Sequence, residues 1–356
     1  MSFRDFVELA LYHPESGYYA RAENPVGKGG DYVTAPSLSP AFSFAIAGLV
    51  REFVRRAEGA VCSFVDIGCG DGSLVRAVAA QVAAQVKDEA VRFFGVDRSL
   101  DRAQVAAPEE DRVAFFTTLD PLPRDGAHFF FSNELFDAIP FARLVQRGGH
   151  LHDLWVAERD GVLDWSEREA PALYEDYFRA RGIELAEGQF ADITPEWAAM
   201  YADLARLLHR GLIVTIDYGY PQEKLFHPRA RRFGTAAAYR GQRVSRDLLA
   251  APGEQDLTAH INFSDLLRAG EEAGARTLFF DRLAKFLLAA GITQHPLFRP
   301  VQEIESGSVE EGLELLEERE NARRLVLPEG IGEDLRVLVQ EKGMGGERWS
   351  FEERLF

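Results

Sequence analysis

Ser63-Phe64-Val65-Asp66-Ile67-Gly68-Cys69-Gly70-Asp71-Gly72-Ser73 is the stretch that decides the fold. An almost continuous apolar run ends in three alternate glycines, and from Ser73 to Val86 apolar residues recur at helical spacing without Gly or Pro. The pattern reads as buried strand, tight turn and helix. Glycines in such a turn let backbone approach a ligand closely at a helix N-terminus. A dinucleotide fingerprint would need its third small residue at position 73, whereas here the glycine stands at 72 and Ser73 follows. The motif is therefore acidic-x-G-x-G-x-G. Asp66 and Asp71 would repel a pyrophosphate and attract a cation. S-adenosylmethionine, with its sulfonium and ammonium, is the preferred ligand; a dinucleotide and an empty structural turn are the alternatives.

Working outward, further apolar runs occur at Val91 to Val96, Val113 to Phe116, Phe129 to Phe131 and Leu212 to Ile216, alternating with helical segments. That alternation predicts an α/β fold, a mostly parallel sheet covered by helices on both faces. Phe3 to Leu11 predicts a short amphipathic helix stopped by His13-Pro14, and Ser37 to Arg56 a longer one. Ala142 to Gln146 and His150 to Val156, joined by Gly148-Gly149, predict a hairpin. Helices are expected at about Ala170 to Gly182, Thr194 to Arg210, Ser264 to Ala273 and Arg282 to Ala290, and a last strand at Leu335 to Val339. The segment from Gly219 to about His260 reads as a polar, Arg-rich loop, and the acidic run Glu303 to Glu320 as a solvated face. The expected organisation is an N-terminal helical extension and cleft loop over 1–58, a core over 59–340 with insertions at about 140–210 and 219–262, and a tail over 341–356.

The chain has 356 residues, enough for one decorated enzyme domain or two modest ones. Forty Lys and Arg against 57 Asp and Glu leave a formal charge of −17, which disfavours nucleic acid and anionic membrane as partners. The apolar stretch Ala41 to Val50 falls short of the ~20 residues of a membrane span. Two cysteines, Cys62 and Cys69, cannot make a disulfide framework and fit a reducing compartment, so a cytoplasmic protein is expected. No targeting segment is read. No metal site is expected, since His150 and His152 lack a third ligand.

Asp97 ends the second strand, where an acid can accept hydrogen bonds from both hydroxyls of a ribose, or can simply cap the next turn. Thr118 and Leu119, past the third strand, stand where an adenine would be sandwiched, or in a plain loop. Ser132-Asn133-Glu134-Leu135-Phe136-Asp137 closes the fourth strand. Carboxyl ends of strands are where open α/β sheets react ligands. If that segment is helical, Glu134 and Asp137 face one side. Two acids there suit methyl transfer to a guanidinium, which is always protonated in water and must be oriented and relieved of a proton. The plainer alternative is a cap by Asn133 with the acids paired to Arg143 or Arg147.

Phe3-Arg-Asp-Phe-Val-Glu-Leu-Ala-Leu-Tyr-His-Pro-Glu-Ser-Gly-Tyr-Tyr, Gly30-Asp-Tyr-Val-Thr-Ala-Pro-Ser-Leu-Ser-Pro, the glycine turn, Asn133-Glu-Leu-Phe-Asp-Ala-Ile-Pro, Ile216-Asp-Tyr-Gly and Gln255-Asp-Leu-Thr-Ala-His-Ile-Asn-Phe follow one another in this order. In this the chain resembles the MidA-like methyltransferases, whose mitochondrial members assist respiratory complex I assembly. The likeness runs from Phe3 to about Val339. It implies a class I methyltransferase fold, S-adenosyl-L-methionine as cofactor, and protein arginine methylation, since the mitochondrial members methylate a complex I subunit. Carried over, Gly68, Gly70 and Gly72 hold the methionine part of the donor, Asp97 the ribose, and Asn133 with Glu134 the reaction centre. Asp31 and Thr34 close over donor or substrate, and His260 lines the cleft, where a histidine can relay a proton. Asp217 and Tyr218 are cleft residues of unassigned role.

The family's Arg after the second glycine is Asp71 here, and Asp97 replaces a frequent Glu. The motif Arg-Gly-Thr-Leu is Phe233-Gly234-Thr235-Ala236, read as a substrate-contacting loop. Without a mitochondrial leader, a bacterial protein is expected. The expected partner is a protein with a cationic arginine acceptor, with the oligomeric state open, a homodimer included. The rival reading is an assembly or interaction protein that keeps the fold without catalysis.

Overall fold

The computed structural model describes residues 1–20, 34–86, 90–100, 112–300 and 309–355. The chain forms two compact units: Met1–Tyr32, Leu135–Tyr201 and Tyr218–Ala269 make one, and Val33–Glu134, Ala202–Asp217 and Gly270–Phe356 the other. Residues 34–58, expected with the N-terminal extension, fall in the unit of the parallel sheet. The strands are β1 (Cys62–Ile67), β2 (Val91–Val96), β3 (Val113–Phe116), β4 (Ala127–Asn133), β5 (Ala142–Arg147), β6 (His150–Arg159), β7 (Val162–Glu169), β8 (Phe190–Ile193), β9 (Gly211–Tyr220), β10 (Ala237–Arg240), β11 (Arg243–Ser245), β12 (Asp256–Thr258), β13 (Ile261–Asn262), β14 (Arg276–Arg282) and β15 (Leu335–Lys342).

In the sheet unit the order is β14-β15-β9-β4-β1-β2-β3. β1 pairs in parallel with β2 and β4, β2 with β3, and β4 with β9. Every residue of β1 is buried, which explains the nearly unbroken apolar run, interrupted by Ser63 and Asp66: a parallel strand covered on both faces has no solvent side. The helices Pro40–Arg56 and Ser73–Ala83 pack together, Gln81 Nε2 donating to Ser43 Oγ at 2.8 Å. Phe53, Phe64, Phe129 and Phe131 interlock with ring centroids 5.4 to 5.9 Å apart. From β1 the chain moves outward to β2 and β3, whereas β4 starts the other side. The order thus reverses between β1 and β4, and such a reversal opens a ligand crevice at the carboxyl ends.

The long N-terminal helix starts at Pro40, not Ser37, because Ser39 caps it, its Oγ accepting from Ala41 N at 3.2 Å; Ala35–Leu38 forms a separate turn. The acidic stretch forms the helix Val309–Arg324, and 303–308 lie outside the described residues. β14 was not expected; it runs antiparallel to β15, with an irregularity between Thr277 and Phe279. Nor do the described residues 341–355 form a tail. Trp349 is fully buried, its Nε1 donates to Glu341 at 2.8 Å, Arg56 lies over its ring at 4.6 Å, and Ser350 N donates to Glu52 at 3.0 Å.

The other unit holds an antiparallel sheet, β7-β6-β5-β8, and a small one, β11-β10-β12. The hairpin expected at Gly148-Gly149 is present. The small sheet occupies the stretch read as a loop, and its turn uses positive φ at Gly241 and Gln242. The helix Phe3–Tyr12 buries Phe3, Phe6, Val7, Ala10 and Leu11 in a core shared with Phe141, Val156, Leu248 and Leu257. Among the described residues no helix is long and apolar enough to cross a membrane.

Deleting a buried tryptophan leaves a cavity and strands the polar groups around it. Trp349→Ala is therefore expected to lower unfolding free energy by about 3–5 kcal/mol, read by denaturant titration. An unchanged midpoint would return these residues to the status of a tail.

Candidate functional site

Because β1, β2, β3, β4 and β9 run parallel, the residues that follow them share one edge of the sheet unit. The registers set Ile67 level with Val96 and Ser132, Val96 level with Phe116, and Ser132 level with Thr215. One residue further along lie Gly68, Asp97 and Asn133, so the glycine turn, the acid after β2 and the end of β4 occupy neighbouring positions. Thr118, exposed, and Leu119, half-buried, follow β3 at the same edge, and Asp217 is buried near the end of β9.

The three glycines of the turn all have positive φ, 76° at Gly68, 54° at Gly70 and 75° at Gly72, but they do different things. Gly68 N and Cys69 N donate to Val96 O at 2.7 and 3.3 Å, locking the turn to β2. A Cβ on Gly72 would stand 2.4 Å from the Phe115 ring, so this glycine serves internal packing rather than ligand approach. A Cβ on Gly70 would meet nothing within 4 Å. Gly70 therefore has an open face.

Asp97 Oδ2 accepts from Gly70 N at 3.0 Å, and its Oδ1 accepts from Ser99 N and Ser99 Oγ at 2.9 and 2.6 Å. The local-cap reading is thus observed. It does not displace a ribose role, since a carboxylate offers about four acceptor sites. Asp71 Oδ1 accepts from Ser73 N at 2.9 Å and caps the helix Ser73–Ala83. Asp66, only 2% exposed, has its carboxyl pushed up to about 8, first by burial and then by the charges of Asp97 and Asp71. This cluster would repel phosphate and gains from a cation. The residues fit S-adenosylmethionine on two grounds, the open backbone at Gly70 and an acidic donor set.

At the end of β4, Asn133 Nδ2 donates to Glu134 Oε1 at 3.0 Å, while Asn133 Oδ1 is buried and without a hydrogen-bond partner among the described residues. Glu134 has φ 53°, a left-handed conformation that costs a non-glycine residue about 1–2 kcal/mol. Its N–H, donating to Ile216 O at 2.9 Å, helps to hold it there. Such strain concentrates at functional sites. The expected helical turn from Glu134 to Asp137 does not form, the left-handed Glu134 being followed by bends and turns; the same-face argument fails, and the two acids belong to different units. Arg143 pairs with Asp192 and Arg147 with Glu167. Thr34 makes its described hydrogen bonds within its own turn, to Ser37, and Asp31 lies outside the described residues.

In the other unit, Asp137 is buried and its carbonyl accepts from Ala259 N at 3.3 Å. His260 N donates to Thr235 Oγ1 at 3.1 Å. Thr235 is itself fixed: Thr235 N and Ala236 N donate to Asp192 Oδ2 at 2.6 and 2.8 Å, and Arg143 Nη1 donates to Asp192 Oδ1 at 2.6 Å. A Cβ on Gly234 would lie 2.2 Å from that carboxylate. Phe233–Ala236, read as a substrate contact, is anchored on a buried acid through Thr235 and Ala236, and Thr235 Oγ1 holds the backbone of His260. Asp192 was missed, and Arg143, expected to pair with Glu134 or Asp137, pairs with it instead. The available signal was a lone acid inside the apolar run Phe190-Ala-Asp-Ile. Among the described residues no cluster of three or more His, Cys, Asp or Glu is placed to hold a metal ion.

Residues 45–280 match the family model described as "Putative S-adenosyl-L-methionine-dependent methyltransferase". Among curated proteins, the chain is 23% identical over 306 residues to the mitochondrial protein arginine methyltransferase NDUFAF7 of Danio rerio, covering 76% of this chain and 69% of that one. It is 25% identical over 308 residues to the Drosophila melanogaster homolog, covering 76% and 66%. The chain thus spans about two thirds of the length of these relatives. A crystal structure from Burkholderia thailandensis, bound to S-adenosyl-homocysteine, superposes with a TM-score of 0.84 at 28% identity, over 99% of this chain and 90% of that one. These similarities bear out the resemblance read from the motifs, the class I methyltransferase fold and S-adenosyl-L-methionine as cofactor.

A cationic ligand favours ionised Asp66, so binding below about pH 8 releases a proton. Affinity for S-adenosylhomocysteine, which keeps the ammonium, is expected to rise with pH and level off above about 8. Calorimetry in buffers of different ionisation heat should show the released proton in wild type and none in Asp66→Asn. With no ligand the sign reverses. The folded state binds the extra proton, so stability from this group falls as pH rises from the ordinary carboxylate range to about 8.

Proposed function

This chain belongs to the S-adenosyl-L-methionine-dependent methyltransferase family matched by its residues 45–280, and from that premise we propose that its acceptor is an arginine side chain of a protein. The observation that carries this reading is the strained, tethered carboxylate of Glu134 at the end of β4. An acceptor that is neutral and nucleophilic needs no such group. A guanidinium is protonated at every physiological pH and needs a carboxylate to orient it and take the proton it loses on methylation. The relatives named above as protein arginine methyltransferases support the same reading.

When bound, S-adenosylmethionine supplies an electrophilic methyl group on a cationic sulfur. The protein's part is positional and electrostatic. Asp66, Asp97 and Asp71 hold the cationic end of the donor at the turn, with Gly70 giving backbone access. Asn133 Nδ2 fixes one oxygen of Glu134. Glu134 then aligns the acceptor nitrogen, a proximity effect worth up to ~7–11 kcal/mol when the reacting atoms are ~3 Å apart. As the new bond to nitrogen forms, the surplus proton passes to that carboxylate. The family resemblance makes a respiratory-complex subunit the first candidate target. The compartment we propose is the cytoplasm, where the free, buried Cys62 and Cys69 stay reduced.

With purified protein, labelled donor and an arginine-containing protein substrate, Glu134→Gln should keep S-adenosylhomocysteine binding while turnover falls by about 10²-fold or more. Undiminished turnover would remove Glu134 from the reaction. Glu134→Gly should also be inactive, yet more stable by about 1 kcal/mol, because glycine adopts the left-handed conformation freely.

A further inference from the structure

Two glycines of the sheet unit leave room for the same aromatic ring. A Cβ on Gly72, in the turn after β1, would lie 2.4 Å from Cε1 of Phe115, and a Cβ on Gly95, inside β2, would lie 2.5 Å from that same atom. Gly95 stands opposite Phe115 in the pairing of β2 with β3. The ring therefore starts at the edge strand and reaches back across β2 to the N-cap of the helix Ser73–Ala83. Phe115 is buried. Arg76 lies over its face, the guanidinium carbon 4.5 Å from the ring centroid, while Arg76 Nη1 donates to Asp71 O at 2.8 Å. The ring is thus held on a face by Arg76 and along an edge by two glycines.

The two glycines differ in what forbids a side chain. Gly72 has φ 75°, which strains any other residue whatever the space. Gly95 keeps ordinary strand backbone, so only the space is lacking, taken first by the Phe115 ring and then by Cys69 Sγ at 3.0 Å. A glycine inside a buried strand weakens it and marks a close approach. Each glycine also stands two residues from a group at the donor edge. Gly72 follows Gly70, whose backbone is open, and Gly95 precedes Asp97. Gly70 N donates to Asp97 Oδ2 at 3.0 Å, a bond that depends on how far the turn stands from the end of β2.

We propose that Phe115 is a positioning residue for the donor: its ring is the spacer that sets the distance between the glycine turn, which takes the methionine part, and the end of β2, whose Asp97 takes the ribose. Phe115 itself touches no donor atom in this role. A ligand that spans both points senses the spacing, and a ligand that reaches only one does not. Every residue involved belongs to the sheet unit, and the inference needs the donor alone, whatever the acceptor.

The test uses the full chain and calorimetric titration with S-adenosylhomocysteine, which spans both points, and with adenosine, which carries the ribose but no methionine part. Phe115→Leu removes the ring edge and should weaken S-adenosylhomocysteine about three- to tenfold while adenosine changes less than about twofold. Gly95→Ala drives a methyl group into the ring and should weaken S-adenosylhomocysteine about tenfold. The two changes relieve each other, so the double variant should bind at least about threefold more tightly than Gly95→Ala. Wild-type S-adenosylhomocysteine affinity in Phe115→Leu would overturn the spacer, because the turn would then hold without the ring. An equal loss for adenosine would overturn it too, as a general loosening of the fold. A double variant weaker than Gly95→Ala would overturn the shared contact. Should either single variant not fold, the other, titrated with the same two ligands, decides the matter.

Discussion

A carboxyl group cut off from water must be neutral or matched by positive charge, and Asp66 stands where that constraint governs the site. Its neighbours Asp97 and Asp71 carry like charge, and with burial they keep the proton on Asp66. A cationic ligand can replace that proton. The glycine turn makes the arrangement possible, because three left-handed residues in five positions bring β1, the β2 end and the first helical turn together, and at Gly72 a side chain would collide with Phe115. Ligand choice and backbone geometry are thus one requirement seen from two sides.

The second unit handles a buried acid differently. Asp192 is matched inside the fold, by Arg143 and by the N–H groups of Thr235 and Ala236. Its charge is used to shape a loop. Where a buried carboxylate is saturated it builds structure; where it is crowded by others it waits for a partner. The left-handed Glu134 is a third case, a local conformation that propensity disfavours and the surrounding strand pairing imposes.

Much of the parallel sheet was legible because its strands are buried on both faces. Val91–Val96 and Val113–Phe116 have the bounds their apolar runs imply, and Phe3–Tyr12 follows its helical stripe. Features set by distant partners were not legible. β14 owes its existence to β15, far along the chain, and β10 to β12 are too short to show a period. The family motifs located Asn133 and Glu134, but the pairing of Glu134 with Asp137 on one helix face failed because φ at Glu134 is invisible in a sequence. Asp192 hid inside a strand, and Trp349 inside a segment whose polar composition reads as a tail.

The sheet order has a consequence for synthesis on the ribosome. β15 sits between β9 and β14, yet it is among the last elements translated. Until Leu335–Lys342 emerges, one edge of β9 and the future partner face of β14 present open backbone to other chains. The nascent protein therefore spends most of its elongation with its central layer unfinished, and a chaperone, or rapid release, has to guard that gap.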